Sequence, residues 1–335
     1  MSQLCLRSAL RRQGAGAQGR PGRAGGLFRA RAGRPIEADF YTTTWDGGGT
    51  NTMRTQSVAL LGAGGKMGCR IADNLKKGDR RVHYVEIGER GIARLAERGL
   101  RTTPLEEAVA EADIVVLAIP DVAIGDVSAG IVPKMKSGAM LVALDPAAAY
   151  LGKLPERADV AYFVAHPCHP PVFNDETTPE AKSDLFGGVA AKQAIVCALM
   201  QGPESDYEVG ERLAAEMYAP VMRSHRITVE QMAILEPTMA ETIGAMMATL
   251  LGEAMDEAVR RGVPYEAAKD FMLGHINIEL AVVFNRVNPF SDACLVAIDY
   301  GRRAMIKENW KQLFRPESIR EQIDVMLHPE KMQKL

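Results

Sequence analysis

Ser57-Val58-Ala59-Leu60-Leu61-Gly62-Ala63-Gly64-Gly65-Lys66-Met67-Gly68 runs from an apolar segment into a glycine loop. The apolar segment reads as a buried strand. A helix is expected over residues 69–77 and a second strand over 82–86. Such a loop lets the backbone approach a pyrophosphate and offers it amides at a helix N-terminus. Glu86 lies 24 residues after Gly62, near the ~20-residue offset at which an acid meets an adenosine ribose. The loop departs from the strict G-x-G-x-x-G spacing. Counted from Gly62, Met67 takes the third place; counted from Ala63, Gly65 and Gly68 fill the second and third. Strand, loop, helix, strand and acid in this order point to dinucleotide binding, against a glycine turn packed for its own sake. A carboxylate at 86 repels a 2′-phosphate, which favours NAD over NADP, although Arg90 stands nearby.

Outward from this loop the β-α-β rhythm continues. Helices are expected at 106–111 and 124–131, and strands at 112–121, 139–144 and 160–165. The 112–121 strand stops at Pro120, which joins Gly62–Gly68 and Glu86 among the cofactor contacts. A further strand at 192–200, a helix at 206–218 and a short strand at 219–223 follow. Apolar strands alternating with helices imply a doubly wound parallel sheet, a Rossmann domain over 54–226. From residue 228 the chain is helical and Met-rich. Segments 228–261 (interrupted near Pro237), 264–284 and 310–328 suggest an all-helical domain over 227–330. Its Met-rich helices suggest pairing across a two-fold axis, and hence a homodimer.

Residues 1–53 read differently. Residues 1–36 hold eight Arg and no acid, and the whole segment lacks strand or helix periodicity. It reads as a transit peptide or as upstream sequence preceding a start at Met53, disordered or non-native, and is set aside from the fold. Residues 37–335 carry 32 basic and 42 acidic groups, which argues against nucleic acid as a partner. Five scattered cysteines with no Cys-x-x-Cys suggest a reducing, cytoplasmic setting. No apolar run approaches the ~20 residues of a membrane span.

The second informative stretch is His166-Pro167-Cys168-His169-Pro170-Pro171-Val172-Phe173-Asn174-Asp175-Glu176. Three prolines hold a loop extended just after an apolar strand, so imidazoles stand at the carboxyl edge of the sheet. His166 could bind a cation, carry protons or be hydrogen-bonded in place. Cys168 reads as a small packed residue rather than a thiolate ligand. Asn174, Asp175 and Glu176 fit a polyol, a cation or a solvated turn. Further along, Glu236 and Glu241 sit in an apolar neighbourhood, where a carboxylate is costly unless paired or ligating. Both could equally be ordinary helix-face acids. Thr228 with Gln231 fits a capping box. Arg223 or Arg226 would suit a substrate carboxylate, or be surface charge. His275 and Glu279, at i,i+4, fit a hydrogen-bonded pair or a metal site. Lys192, His225 and Glu236 are the candidates for proton transfer.

The glycine loop is similar to those of prephenate dehydrogenases and the wider 6-phosphogluconate-dehydrogenase-like group. The His166–Glu176 run, Phe186-Gly-Gly-Val-Ala-Ala-Lys-Gln, Ala198-Leu-Met-Gln-Gly-Pro and the segment from Val221 to Pro237 resemble the D-apionate oxidoisomerases, over residues 56–315. The resemblance implies NAD-dependent oxidation of a branched sugar acid at C2 with migration of a hydroxymethyl group, giving 3-oxo-isoapionate. Such a shift is helped by a Lewis acid that chelates vicinal oxygens. That need makes His166 with Glu241 the expected ligands of a divalent metal, zinc in the first instance. His169 and Cys168 are then expected to support the loop. A plain β-hydroxyacid or prephenate-type dehydrogenase, or a non-catalytic NAD sensor, are the alternatives.

Overall fold

A computed structural model describes residues 42–44, 56–284 and 286–334. The strands are β1 (Thr42–Thr44), β2 (Val58–Leu61), β3 (Val82–Val85), β4 (Ile114–Leu117), β5 (Met140–Ala143), β6 (Ala161–Pro167), β7 (Gln193–Gln201) and β8 (Val221–Arg226). They form one sheet in the order β1-β8-β7-β6-β5-β4-β2-β3. Four of them, β2, β4, β5 and β6, are buried along most of their length, which is why they read as unbroken apolar runs.

The helices before β8 are α1 (Lys66–Leu75), α2 (Glu89–Glu97), α3 (Leu105–Glu111), α4 (Asp121–Ile131), α5 (Ala147–Tyr150), α6 (Pro179–Ser183) and α7 (Ser205–Met217). Ile71 and Leu75 of α1 and Leu213 of α7 pack on one face of the sheet, with Leu60, Phe163 and Ile195. The other face carries α3 and α4 through Val109, Ile124 and Ile131. The connection β2-α1-β3 leads one way from β2, and β4 lies on its other side, so a crevice opens at the carboxyl ends of β2 and β4.

Two departures from an all-parallel sheet stand out. β7 runs antiparallel to β6, and β1 antiparallel to β8. Between β6 and β7 the chain forms only the five-residue α6 and never crosses a face, so it re-enters the sheet from the edge it left. Thr42–Thr44 belong to the segment set aside in the sequence; the rest of 1–53 lies outside the described residues.

After β8 come α8 (Val229–Ala233), a π-helix (Ile234–Ala245), α9 (Met246–Arg260), α10 (Tyr265–Val283), α11 (Asp292–Met305) and α12 (Pro316–Leu327). Thr228 caps α8 in the expected box with Gln231. Residue 226 is not a break in packing. Val229 and Met232 share a core with Val164 and Val196, and Ile319 and Ile323 of α12 pack on Ala147 and Ala233. By contrast α9 and α11 bury no residue, and α10 buries only Ala268 and Ala281. No helix among the described residues is long and apolar enough to cross a membrane.

Candidate active site

The glycine loop is shaped by close approaches. Gly62 has φ +75°, and a Cβ there would lie 2.3 Å from the carbonyl oxygen of Ala118, just beyond β4. A Cβ on Gly68 would meet the Gly62 oxygen at 2.1 Å, so α1 can sit against β2 only with glycine there. The reading counted from Ala63 is thus the one whose third position brings helix to strand. Gly65 is the N-cap of α1, with no side-chain cap and no acid in the first turn. No side chain caps the first turn of α1, while the Gly65 amide itself donates to the Gly62 carbonyl. Glu86 is turned into the loop: Oε2 accepts the Gly64 amide and Oε1 the amides of Ile87 and Gly88, each at 2.9 Å. Pro120 caps α4 at the end of the β4 crossover.

Beside this crevice the carboxyl edge gathers charge. Asp121 follows β4, Asp145 follows β5 and His166 lies at the end of β6, so three neighbouring strands each deliver one group. The π-helix brings Glu236 to the same place. Ligand atoms of Asp145, His166 and Glu236 all lie within 4.8 Å of one another. His166 Nδ1–H donates to the Leu144 carbonyl at 2.8 Å, which aims Nε2 at Glu236 Oε2, 3.2 Å away. Burial works against the imidazolium, but the hydrogen bond and charge of Glu236 raise His166 to about 9. Burial and then the Asp121 charge push Asp145 up to about 7. Burial raises Glu241 too, helped by Glu236 and Asp121. Glu236 is lowered: burial opposes ionisation there, and the His166 contact overcomes it. Several acids crowd one imidazole, and a divalent cation is the species that would relieve them.

Proline and π geometry explain how Glu236 gets there. Pro237 has no amide to continue an α-helical ladder. The helix widens to i→i+5 bonding, and Glu236 and Glu241 are five apart. In an α-helix that spacing would set them about 140° apart. Glu236, expected for proton transfer, is the member of the three-residue group, and Asp145 is its third. Glu241, the expected ligand, stands outside the group yet close enough to feel its charges.

The other candidates are dispersed. His225 pairs in register with Val196, which pairs with His166, so His225 faces the same side two strands away. Burial, then the Arg223 charge, lowers its pKa. Arg223 shares that face by strand alternation. Arg226 lies on the opposite one, bonded to Glu204 and over the Tyr207 ring. Lys192 is exposed, and its contact is a backbone amide donated to Glu176 Oε1 at 2.7 Å. Glu176 and Asn174 are tied into the loop itself. Cys168 is exposed. His275 donates to the Phe271 carbonyl and stacks on that ring rather than pairing with Glu279.

Two family descriptions cover the chain in tandem. Residues 52–170 match the acetohydroxy acid isomeroreductase NADPH-binding domain, and residues 174–327 match the C-terminal part of decarboxylating phosphogluconate dehydrogenase. The D-apionate oxidoisomerase of Rhizobium rhizogenes (strain K84) is 55% identical over 264 residues, 78% of this chain and 96% of the relative. That of Cupriavidus necator (strain N-1) is 53% identical over 270 residues, covering 80% and 98%. The chain belongs to the D-apionate oxidoisomerase family. Among solved structures, a semialdehyde dehydrogenase NAD-binding protein from Cupriavidus necator, in complex with calcium and NAD, is 52% identical with TM-score 0.80, covering 82% of this chain and 100% of its own. Members of the D-apionate oxidoisomerase family are NAD-linked oxidoreductases on this fold, and the recognised motifs fall on the glycine loop, the His166 loop and the π-helix.

Proposed function

We propose that this protein oxidises D-apionate at C2 with NAD+ and moves the hydroxymethyl group from C3 to C2, giving 3-oxo-isoapionate. The observation that carries the reading is a dinucleotide loop sharing one sheet edge with the Asp145–His166–Glu236 set. The bound groups would supply hydride acceptance from C2, in the case of NAD+, and Lewis-acid polarisation of the vicinal oxygens, in the case of a divalent cation. The glycine loop and the N-terminus of α1 bind the pyrophosphate, and the Glu86 carboxylate disfavours a 2′-phosphate. Asp145, His166 and Glu236 hold the cation; their one nitrogen and two oxygens accommodate zinc. Leu144 fixes the His166 tautomer that leaves Nε2 to ligate. Arg223, on the His166 face, takes the substrate carboxylate.

The protein acts as a homodimer in the cytoplasm. Support for the dimer is the run of apolar groups that α9–α11 leave in water: Phe271, Leu273, Val296 and Tyr300 are 59–76% exposed. α10 is apolar around most of its circumference, as a helix enclosed by other helices is. A two-fold pairing covers both copies at once. The deciding measurement is NADH formation from D-apionate followed by NMR of the product. An unmigrated carbon skeleton would reduce the activity to a plain dehydrogenase.

A further inference from the structure

His169 is the one described residue other than glycine with positive φ, at +60°. It also precedes Pro170, where the backbone is driven towards extended conformations. The surroundings hold it there. Nδ1–H donates to the Phe186 carbonyl at 2.8 Å, and the ring packs on Phe186 with centroids 4.8 Å apart. Phe186 is braced in turn by the Arg70 guanidinium, 4.3 Å from its ring centre, while Arg70 Nε donates to the Gly187 carbonyl. Asp184 gathers the amides of Gly187, Val189, Ala190 and Ala191 and so shapes the loop that carries Phe186. With Nδ1–H engaged, the neutral ring presents a bare Nε2, and no described residue is hydrogen-bonded to it. The ring stands edge to face with His166, centroids 6.3 Å apart. Glu236 is held by His166, Lys192 is out in solvent and His225 is two strands away.

We infer that His169 is the catalytic proton shuttle of the migration step, with Nε2 serving the C3 and C2 oxygens of the substrate in turn. This rests on the proposed oxidoisomerase activity. After oxidation at C2, Nε2 takes the proton of the C3 hydroxyl. The C3–CH2OH bond breaks, and its electron pair forms the new bond to C2. C3 becomes the ketone carbon, and the oxygen on C2 becomes an oxyanion that takes the proton back from Nε2. The imidazole ends as it began, and the step consumes no external proton.

The test compares the wild type, His169→Asn and His169→Gly with D-apionate and NAD+. The asparagine amide can replace Nδ1–H and tolerates left-handed backbone, so the loss is Nε2 and the ring's packing on Phe186. Expected are a cooperative melt lowered by no more than a few degrees, unchanged NADH binding and turnover about 10²–10⁴-fold lower in His169→Asn. Imidazole in the buffer should restore His169→Gly saturably, with the rearranged product. A His169→Asn turnover within about tenfold of wild type, or a folded His169→Gly indifferent to imidazole, overturns the role of His169 alone. Wild type that forms no NADH, or an unrearranged product, overturns the activity and the shuttle together. A readout independent of both variants is the 15N-histidine spectrum of the wild type. It should show an Nδ1–H tautomer for His169 whose Nε2 signal moves on adding D-apionate; an Nε2–H tautomer refutes the assignment.

Discussion

The sheet half and the helical half solve the burial problem in opposite ways. From Val58 to Ala233 most residues of β2 to β6, the middle of β7 and one face of most helices lie in buried cores. Among the described residues from Met246 to Met305 two are buried, both alanine. The first half folds around its own interior; the second leaves large apolar side chains exposed. The candidate active site lies on the seam, with Asp145 and His166 from the first half and Glu236 from the start of the second.

Cutting the seam should give the largest effect. Glu236→Gln keeps size and hydrogen bonding but removes a charge from the cluster. Turnover should fall about 10³-fold while NADH binding and melting temperature stay near wild type, by fluorescence titration and calorimetry. Near-normal turnover would mean that the two halves meet there for packing alone. Next, Leu273→Glu with Val296→Glu places charges on the exposed helical faces. Light scattering should show the mass halved and circular dichroism should show the sheet half still folded; a wild type already monomeric at micromolar concentration would break the comparison.

Within the sheet half, Gly68→Ala forces a Cβ onto the Gly62 carbonyl. It should cost about 1–3 kcal/mol of stability in urea titration, because α1 must back away from β2. Asp184→Asn tests a polar joint and should cost about 1–3 kcal/mol at neutral pH. Burial opposes the Asp184 charge, but four amides hold its pKa below the ordinary value. Its contribution is therefore present above the unfolded pKa of about 3.9 and is lost as pH falls through the lower folded value. The gap between variant and wild type should be flat near neutrality and close in acid. The smallest effect belongs to Arg226→Ala, at most about 1 kcal/mol, since its partner Glu204 is largely exposed.

What the sequence discloses divides along local and non-local lines. The glycine loop, the Thr228 cap and the buried strands are written in neighbouring residues, and their positions agree with the structure to within a few residues. Asp145 drew no reading from the sequence, because its value comes from β5 lying beside β6. The relative bearings of Glu236 and Glu241 depend on helical pitch, which Pro237 hints at and does not specify. The reversal of β7 followed from a loop that never crosses the sheet, and a strand's direction leaves no trace in its composition. His169 read as loop support because its left-handed backbone and the Phe186 carbonyl lie beyond any spacing rule.

The π-helix has one further consequence. It continues into α9 without a break, so its pitch sets the rotational phase of everything downstream. Losing a single residue between Glu236 and Glu241 would turn the following segment, by about 100° at α-helical pitch, and carry Glu241 away from the charges it now feels. The same rotation would swing the apolar stripe of α9 away from its present bearing. The bearing of the carboxylates and that of the exposed apolar face would thus be inherited through one shared count of residues, and drift in either would be checked by the other.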